Sequence, residues 1–390
     1  MKKCALFLFI LFLSTELVFS QVSENTKKFI KGNLTDKTEA LKSASGKDIE
    51  ELSLKAIDFS LQNKSLLGND RELTALAVSG ILSVPQSYLD ALSEKQKLDF
   101  SDNLLELYNI FEDETVKIAV LDRVSKMNVP SEKFKKMLDE YILNCSLTSE
   151  NKVIISSAIQ TLGLIGDSSS FKILLEKSKK EEWKNYSSEL EQSLGSLCIN
   201  AENELIDSIS TGNTSDCRKI FELCVKNQKN NQIFTAKISE NVLLRTIYIY
   251  ESTGSASEDL VSLEMDSFNL LTELKWTRAG ETTIKFLNTS LKEFENSQMS
   301  EKDFCKVIEG MAYTSPIESV QYLSSYLAKL NGKMEKESSS VSEPVVLSII
   351  KTLGTIGDKN AFDSLLAVAY YNYSETVRAR AQEALTKLKW

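Results

Sequence analysis

Histidine is absent from all 390 residues of the chain, and proline and glycine are scarce, with 4 and 14 copies. The lack of histidine excludes Ser-His-Asp and Cys-His nucleophile pairs, as well as imidazole metal ligands. Few glycines and prolines leave long uninterrupted stretches, as helices require, whereas a β-sandwich or doubly wound sheet of this size usually needs more turn-forming residues. The composition therefore favours helices, and among enzymes it leaves those that use carboxylates, lysine or tyrosine.

Other signatures of chemistry are missing as well. The LGLIGD and LGTIGD segments lack the Lys-Ser/Thr pair of a phosphate-binding loop, and there is no HExxH, DxDxDG or serine-elbow motif. The formal net charge is -9, with basic and acidic residues interspersed, which argues against nucleic acid as a partner because phosphate recognition needs a concentrated basic face. The sequence thus offers no catalytic residues, no metal ligands and no cofactor-binding residues.

The first twenty residues are arranged as in an export signal. Two lysines precede an apolar run at 5–13, and small residues stand three and one positions before a cleavage point after Ser20. The apolar run is shorter than the roughly 20 residues that a membrane-spanning helix needs. We expect a signal peptide over 1–20 that is cleaved to leave Gln21 as the new amino terminus. The periplasm is the expected destination, with the extracellular space as the alternative.

Five cysteines remain in the expected mature chain: Cys145, Cys198, Cys217, Cys224 and Cys305. An odd number cannot form a complete disulfide framework. Cys217 and Cys224 are two helical turns apart, roughly 10 Å, which is too far for a bridge between them. Two interpretations stay open: the cysteines are small apolar core residues, or Cys198 forms a bridge with either Cys217 or Cys224 across neighbouring helices.

One pattern occurs twice in the chain. SAIQTLGLIGDSSSFKILL at 157–175 aligns without gaps with SIIKTLGTIGDKNAFDSLL at 348–366. In the second copy, apolar residues recur at helical spacing up to Ile356, Gly357 suits the left-handed conformation that ends a helix, and Asp358 suits the cap of the next helix. The pattern predicts a helix, a tight turn and a second helix. The motif positions are Gly163, Gly166, Asp167, Gly354, Gly357 and Asp358.

A third helix belongs to the same pattern. DETVKIAVLDRVSKM at 113–127 is similar to SETVRARAQEALTKL at 374–388, and a looser copy lies at 70–84. The steps between successive helices of one kind fall in the period of roughly 30 to 47 residues used by helical-hairpin repeats.

The Leu-Gly-x-Ile-Gly-Asp turn, followed by a helix and then by TVRARAQEAL at 376–385, resembles the bacterial HEAT-like repeat, the type first named from phycobilisome lyases. The likeness covers the carboxy-terminal residues and 113–175, and between 180 and 340 only helical periodicity supports it. It implies an all-α fold, an α-solenoid of stacked antiparallel helical hairpins in a HEAT-like or armadillo-type superhelix. In that family Arg378 or Lys117 would lie near the start of a helix and contact a neighbouring turn. Lyase activity is not implied, because many unrelated proteins share the repeat.

The predicted organisation of the chain is a signal peptide at 1–20, a loosely ordered polar stretch at 21–45, helical repeats at 46–250, irregular helical repeats at 260–331, and HEAT-like repeats at 344–390. Linkers are predicted at Ser252–Asp259 and Gly332–Glu343, because polar and turn-forming residues cluster there.

The expected function follows from the solenoid. A stack of hairpins exposes a long face without a deep pocket, which suits peptides and protein surfaces. We expect an exported, non-catalytic scaffold or adaptor that binds proteins of the cell envelope. Tyr370, Tyr371 and Tyr373 cluster in one turn, either as core residues or as candidates for partner binding, since tyrosine is enriched at interaction sites. The alternative is an enzyme or enzyme accessory that uses carboxylate and tyrosine groups in a pocket within 180–340.

Overall fold

A computed structural model describes residues 23–127, 131–228, 231–336 and 341–389. In these ranges the chain is helical apart from its turns, and a single parallel bridge between Asp358 and Lys389 is the only β feature. The predicted signal peptide and its cleavage point after Ser20 lie outside the described residues. In the described ranges, no helix combines the length and the apolar character that crossing a membrane demands.

The chain divides into two compact units, with the boundary between Leu197 and Cys198. The helices of the first unit are α1 (Glu24–Lys31), α2 (Leu34–Ser43), α3 (Lys47–Leu67), α4 (Arg71–Ser83), α5 (Gln86–Ala91), α6 (Glu94–Ile110), α7 (Glu114–Ser125), α8 (Glu132–Asn144), α9 (Lys152–Ile165), α10 (Ser168–Ser178) and α11 (Ser187–Leu197).

These helices form two rows. Each of α2, α4, α7, α9 and α11 packs against the next member of that row, and α1, α3, α6, α8 and α10 form the second row in the same way. Helices that follow each other in the sequence join the two rows, as α3 with α4 and α6 with α7. The first unit is therefore a stack of helical hairpins.

The second unit contains α12 (Glu202–Thr211), α13 (Thr214–Asn227), α14 (Gln232–Thr253), α15 (Glu258–Glu273), α16 (Gly280–Glu295), α17 (Glu301–Thr314), α18 (Pro316–Lys336), α19 (Glu343–Ile356), α20 (Phe362–Ala367) and α21 (Glu375–Thr386). The helices α13, α15, α17, α19 and α21 pack in sequence order and are called here the odd row, and α12, α14, α16, α18 and α20 form the even row. A continuous apolar core runs between the rows from Ala236 to Leu388. The all-α, solenoid-like fold predicted from the sequence is thus confirmed.

Side-chain caps fix where many of these helices begin. Asp70 accepts hydrogen bonds from the backbone N–H groups of Glu72 and Leu73, and Asp113 accepts one from Thr115. These contacts satisfy N–H groups that have no partner inside the helix. The two aspartates start the similar sequence segments at 70–84 and 113–127. The aspartate that these segments share therefore marks the start of a helix in both.

In the odd row, a hydrogen bond between the starts of successive helices occurs twice. The cap residue Ser342 of α19 donates its hydroxyl to Glu301 in the first turn of α17, with an O–O distance of 2.6 Å. The cap residue Ser374 of α21 donates in the same way to Glu343 in the first turn of α19, at 2.8 Å. Each helix start is therefore tied to the start of the preceding helix in its row.

One prediction of loose order and two predicted linkers need correction. The polar stretch at 21–45 contains α1 and α2, whose residues Phe29 and Leu41 form a core with Leu52 and Leu76, so the prediction of loose order is wrong for residues 24–43. The predicted linker at Ser252–Asp259 shortens to four residues, because α14 runs to Thr253 and α15 begins at Glu258. The linker predicted from Gly332 shortens too, because α18 continues to Lys336.

Candidate functional site

The repeated Gly-Asp turns end one helix and start the next, in two different geometries. Gly357 has a φ of 73° and donates its N–H to Leu353 O at 2.9 Å, so it ends α19 in the left-handed conformation, as predicted. Gly166 ends α9 in an extended conformation with a φ of −72°. Asp167 caps α10, and Asp358 caps the 3-10 turn before α20 by accepting from the Asn360 N–H. Both aspartates are therefore helix caps.

Asp167 also joins two hairpins. Its carboxylate pairs with the ammonium group of Lys135, which lies on α8. Burial opposes ionisation of Asp167, but the hydrogen bonds from Lys135 and Ser169 outweigh that effect and lower its pKa to about 2. The motif aspartate Asp167 thus works as a structural carboxylate that caps α10 and pairs with α8.

The other two motif glycines allow neighbouring helices of a row to touch. A Cβ atom on Gly163 of α9 would lie 2.6 Å from Ser193 Oγ on α11, and one on Gly354 of α19 would lie 2.9 Å from Ala384 Cβ on α21. Real Cβ atoms do not approach other heavy atoms so closely, so only glycine permits these crossings. The two glycines of the repeated LGxIG segment therefore have two separate tasks, helix contact and helix termination.

The close contact of α19 with α21 shapes a groove on the exposed face of the odd row. The groove has a volume of about 620 Å³ and crosses α17, α19 and α21. Its walls are Glu309, Leu347, Ser348, Ile350, Lys351, Gly354, Thr355, Thr376, Arg380, Glu383, Ala384 and Lys387. Gly354 and Ala384 form its narrow base, and charged and hydroxyl side chains form its rim. We call it the odd-row groove.

Charges of both signs are distributed along the odd-row groove. Lys351 bridges to Glu309 on the neighbouring helix, with an N–O distance of 2.7 Å. Glu383 accepts from both Lys387, at 2.8 Å, and Arg380, at 2.7 Å. The hydrogen bonds from Lys387 and Arg380 lower the pKa of Glu383. Since these side chains are largely exposed, the ion pairs are weak.

The resemblance assigned a contact with a neighbouring turn to Arg378 or Lys117, and a different arginine makes that contact. The side chain of Arg378 is exposed and makes no hydrogen bond or ion pair with another described residue. Lys117 lies with its ammonium nitrogen 5.4 Å from the ring centre of Tyr108. Arg123, at the end of α7, is buried and donates to Ile81 O at 3.0 Å and to Leu82 O at 2.7 Å.

The three clustered tyrosines fall into different environments. Tyr370 has 80% of its surface exposed, Tyr371 packs at the edge of the core, and Tyr373 is buried with 5% exposed. The Tyr373 hydroxyl has no hydrogen-bond partner among the described residues, and burial raises its pKa to about 12. Tyr370 is therefore the tyrosine of this turn that is available to a partner, and Tyr373 belongs to the core.

The region 180–340 does bring two carboxyl groups together. Glu264 on α15 and Glu293 on α16 face each other, and neither has measurable exposure to solvent. Burial raises the pKa of Glu293 to about 7, and burial together with the facing Glu293 raises the pKa of Glu264 well above its usual range. The pair lies inside the core with neither side chain exposed, so a substrate would reach it only after the helices separate.

Sequence reasoning missed this pair, since its two members lie on different helices and neither stands out in a charged chain. In the described ranges, no group of three or more acidic or cysteine side chains is placed to hold a metal ion. The chain matches no protein-family model, and no curated protein is significantly similar to it.

Proposed function

We propose that the protein is an exported, non-catalytic α-solenoid scaffold or adaptor that binds proteins of the cell envelope. The observation that carries this proposal is the odd-row groove, which crosses three successive helices and presents Lys351, Arg380 and Glu383 on an exposed face. A shallow groove with charges of both signs suits a polypeptide segment, whose own charged side chains can replace the internal ion pairs.

Site-specific photo-crosslinking tests the groove directly. A benzophenone amino acid at Thr355 lies in the groove, whereas one at Leu366, on α20 of the even row, is comparably open to solvent but outside it. The full chain is expressed in cells with an intact envelope and irradiated. We expect discrete protein adducts from position 355 and none from position 366.

Charge reversal supplies the specificity control. Lys351→Glu combined with Arg380→Glu changes only exposed side chains, so the fold should persist, but it reverses two of the three positive groups in the groove walls and leaves only Lys387. The adducts from position 355 should then disappear. Equal adduct yields from 355 and 366, or adducts unaffected by the double reversal, would contradict binding through this groove.

Export has its own test. The lysine pair and the apolar run at 5–13 favour secretion, and mass spectrometry of the chain recovered from the envelope fraction should give an amino terminus at Gln21. An intact Met1 terminus in the cytosolic fraction would remove the export part of the proposal and leave the binding part standing.

The alternative function, an enzyme or enzyme accessory, has Glu264 and Glu293 as its supporting observation. Two carboxyl groups with raised pKa values in one place are typical of general acid–base sites. Such a site requires access. Treatment of the native protein with a water-soluble carbodiimide and an amine should leave both residues unlabelled if the pair is structural, and label at least one of them if it serves a substrate.

A further inference from the structure

Cys198 and Cys224 lie side by side in the second unit. Cys198 is in the 3-10 turn Cys198–Ala201 that precedes α12, and Cys224 is in the last turn of α13. Both are fully buried, and their thiol groups are hydrogen-bonded to each other. The sequence leaves Cys217 and Cys224 as potential partners of Cys198, and this contact favours Cys224.

Cys217 is the rejected partner. It lies on the same helix as Cys224, two turns earlier, and is equally buried, but its thiol donates to Ile209 O at a distance of 3.6 Å. Burial raises the pKa of the Cys217 thiol to about 11, and this thiol contacts the Ile209 carbonyl group, whereas Cys224 contacts Cys198. Cys217 therefore behaves as a core residue and offers a matched control on the same helix.

The other two cysteines of the expected mature chain do not compete for the pair. Cys145 belongs to the first unit and has its thiol 3.7 Å from Ile142 O in its own helix. Cys305 is on α17 and is hydrogen-bonded to Ser348 of α19. Each is partly buried in a separate place.

We propose that Cys198 and Cys224 are a disulfide-forming site, oxidised by a disulfide reagent of the glutathione or thiol–disulfide oxidoreductase class. In the first step the Cys198 thiolate attacks one sulfur of the oxidant disulfide, which forms a mixed disulfide and releases one oxidant thiolate. In the second step the Cys224 thiolate attacks the Cys198 sulfur and releases the other oxidant thiolate. The two cysteines lose two electrons and two protons, and the oxidant is reduced to two thiols.

The surroundings of the pair favour this order of attack. Hydrogen bonds from Cys224 and then from Gln228 lower the pKa of Cys198, whereas the contact with Cys198 and burial raise the pKa of Cys224. Cys198 is thus the readier thiolate, and the thiolate is the species that attacks a disulfide. Because neither sulfur reaches solvent in the folded chain, oxidation takes place during folding or after local opening.

The bond would fasten the turn before α12 to the far end of α13. The loop it closes contains the whole of α12 and most of α13. Closing a loop of this size restricts the unfolded chain and stabilises the folded one. Formation of the bond in cells rests on the proposed export, because reducing cytosol keeps thiols reduced, but the chemistry itself is testable on the purified protein.

The test is a refolding experiment on the full chain. The protein is reduced in denaturant, refolded in a glutathione redox buffer, denatured again with an alkylating agent to trap free thiols, and digested. Trypsin leaves Cys198 and Cys217 in one peptide and Cys224 in the peptide 220–226, and cleavage after Glu202 separates Cys198 from Cys217. We expect a single linkage, between the fragment with Cys198 and the fragment with Cys224, in the wild type and equally in Cys217→Ser.

Two results would overturn the proposal: a linkage that uses Cys217, or full alkylation of Cys198 and Cys224 after oxidative refolding. Thermal unfolding gives a second readout. Oxidised wild type and oxidised Cys217→Ser should melt roughly 5 to 10 °C above their reduced forms, and Cys224→Ser should show no such difference. If Cys224→Ser does not fold, the peptide map of the wild type still shows whether Cys198 and Cys224 form the bond. Neither readout involves the odd-row groove, so failure here leaves the binding proposal intact.

Discussion

Glu264 and Glu293 place two carboxyl groups face to face in the core of the second unit, with no basic side chain of the described residues paired to either. Water cannot screen the two charges there, so the pair holds at least one proton at neutral pH. The pair titrates as a unit, and its protonation is linked to the stability of the fold.

The sign of this linkage is fixed by the raised pKa values. Glu293 titrates near 7 in the folded chain, compared with its ordinary value of 4.5. A group whose pKa is raised by folding stabilises the folded state fully below the unfolded pKa, and that stabilisation is lost as the pH rises through the folded pKa. We expect the free energy of unfolding to fall between pH 4.5 and 7 and to keep falling above it, where Glu264 ionises, with a loss on the order of 3 kcal/mol from Glu293.

Glu293→Gln tests this expectation. The amide keeps the shape of the side chain and cannot ionise, so the decline in unfolding free energy from pH 5 to 8 should shrink by most of that amount. Urea titrations at several pH values measure it. Glu251→Gln, an exposed substitution on α14, controls for the change in net charge and should leave the slope as in the wild type. An unchanged slope in Glu293→Gln would show that the pair does not titrate in this range.

The helix-contact glycines give a second prediction. Gly354→Ala and Gly163→Ala would each drive a methyl group into the neighbouring helix, and we expect each to lower the free energy of unfolding by about 1 to 3 kcal/mol. Gly332→Ala is the matched control, since Gly332 is also helical but has nothing within 4 Å of the added Cβ. There the substitution should stabilise the protein by up to about 1 kcal/mol. Chemical denaturation of the three variants measures the difference, and a similar effect at all three positions would mean that helix propensity dominates over packing.

Much of the fold was predictable because its signals are local. The LGxIGD turn, the aspartate caps and the apolar periodicity of α9 and α19 all depend on residues within one or two helical turns of each other. Such patterns identify helix ends and buried faces without knowledge of the partner helix. The stacking in rows then follows from short connections between amphipathic helices.

The sequence-based predictions were wrong or incomplete where contacts between different helices determine the structure. Residues 21–45 are polar, but Lys37 is 8% exposed, because its ammonium group lies over the rings of Phe29 and Phe59 and donates to Phe29 O. A long cationic side chain can thus fill a core position, although its residue type predicts exposure to solvent. The Glu264–Glu293 pair and the odd-row groove could not be predicted for the same reason, since each is built from separate helices whose spacing is set by packing.

Arg123 gives a third prediction. Its guanidinium group caps the carbonyl groups of Ile81 and Leu82 at the end of α4, and these carbonyls have no partner inside their own helix. Arg123→Met should lower the free energy of unfolding by about 2 to 4 kcal/mol. The free energy of unfolding of Arg123→Lys should lie between those of the wild type and Arg123→Met, because an ammonium group lacks the planar fork that reaches both oxygens.

Arg378→Met is the matched control for Arg123, because Arg378 is helical and its side chain is exposed and has no partner among the described residues. It should change the free energy of unfolding by less than about 0.5 kcal/mol. A loss at Arg378 as large as that at Arg123 would mean that the family-like arginine contacts a turn after all, and would strengthen the resemblance to the HEAT-like repeat at this position.

The tyrosine turn gives the last prediction. The Tyr373 hydroxyl is buried without a hydrogen-bond partner among the described residues, and an unsatisfied buried polar group destabilises the folded state. Tyr373→Phe should therefore raise the free energy of unfolding by about 1 kcal/mol, whereas Tyr370→Phe, at a side chain 80% exposed, should leave it unchanged. Denaturant titrations of both variants make the comparison. A lower stability of Tyr373→Phe would mean that the hydroxyl bonds to an ordered water, and the turn would then contain a polar cavity rather than a dry core.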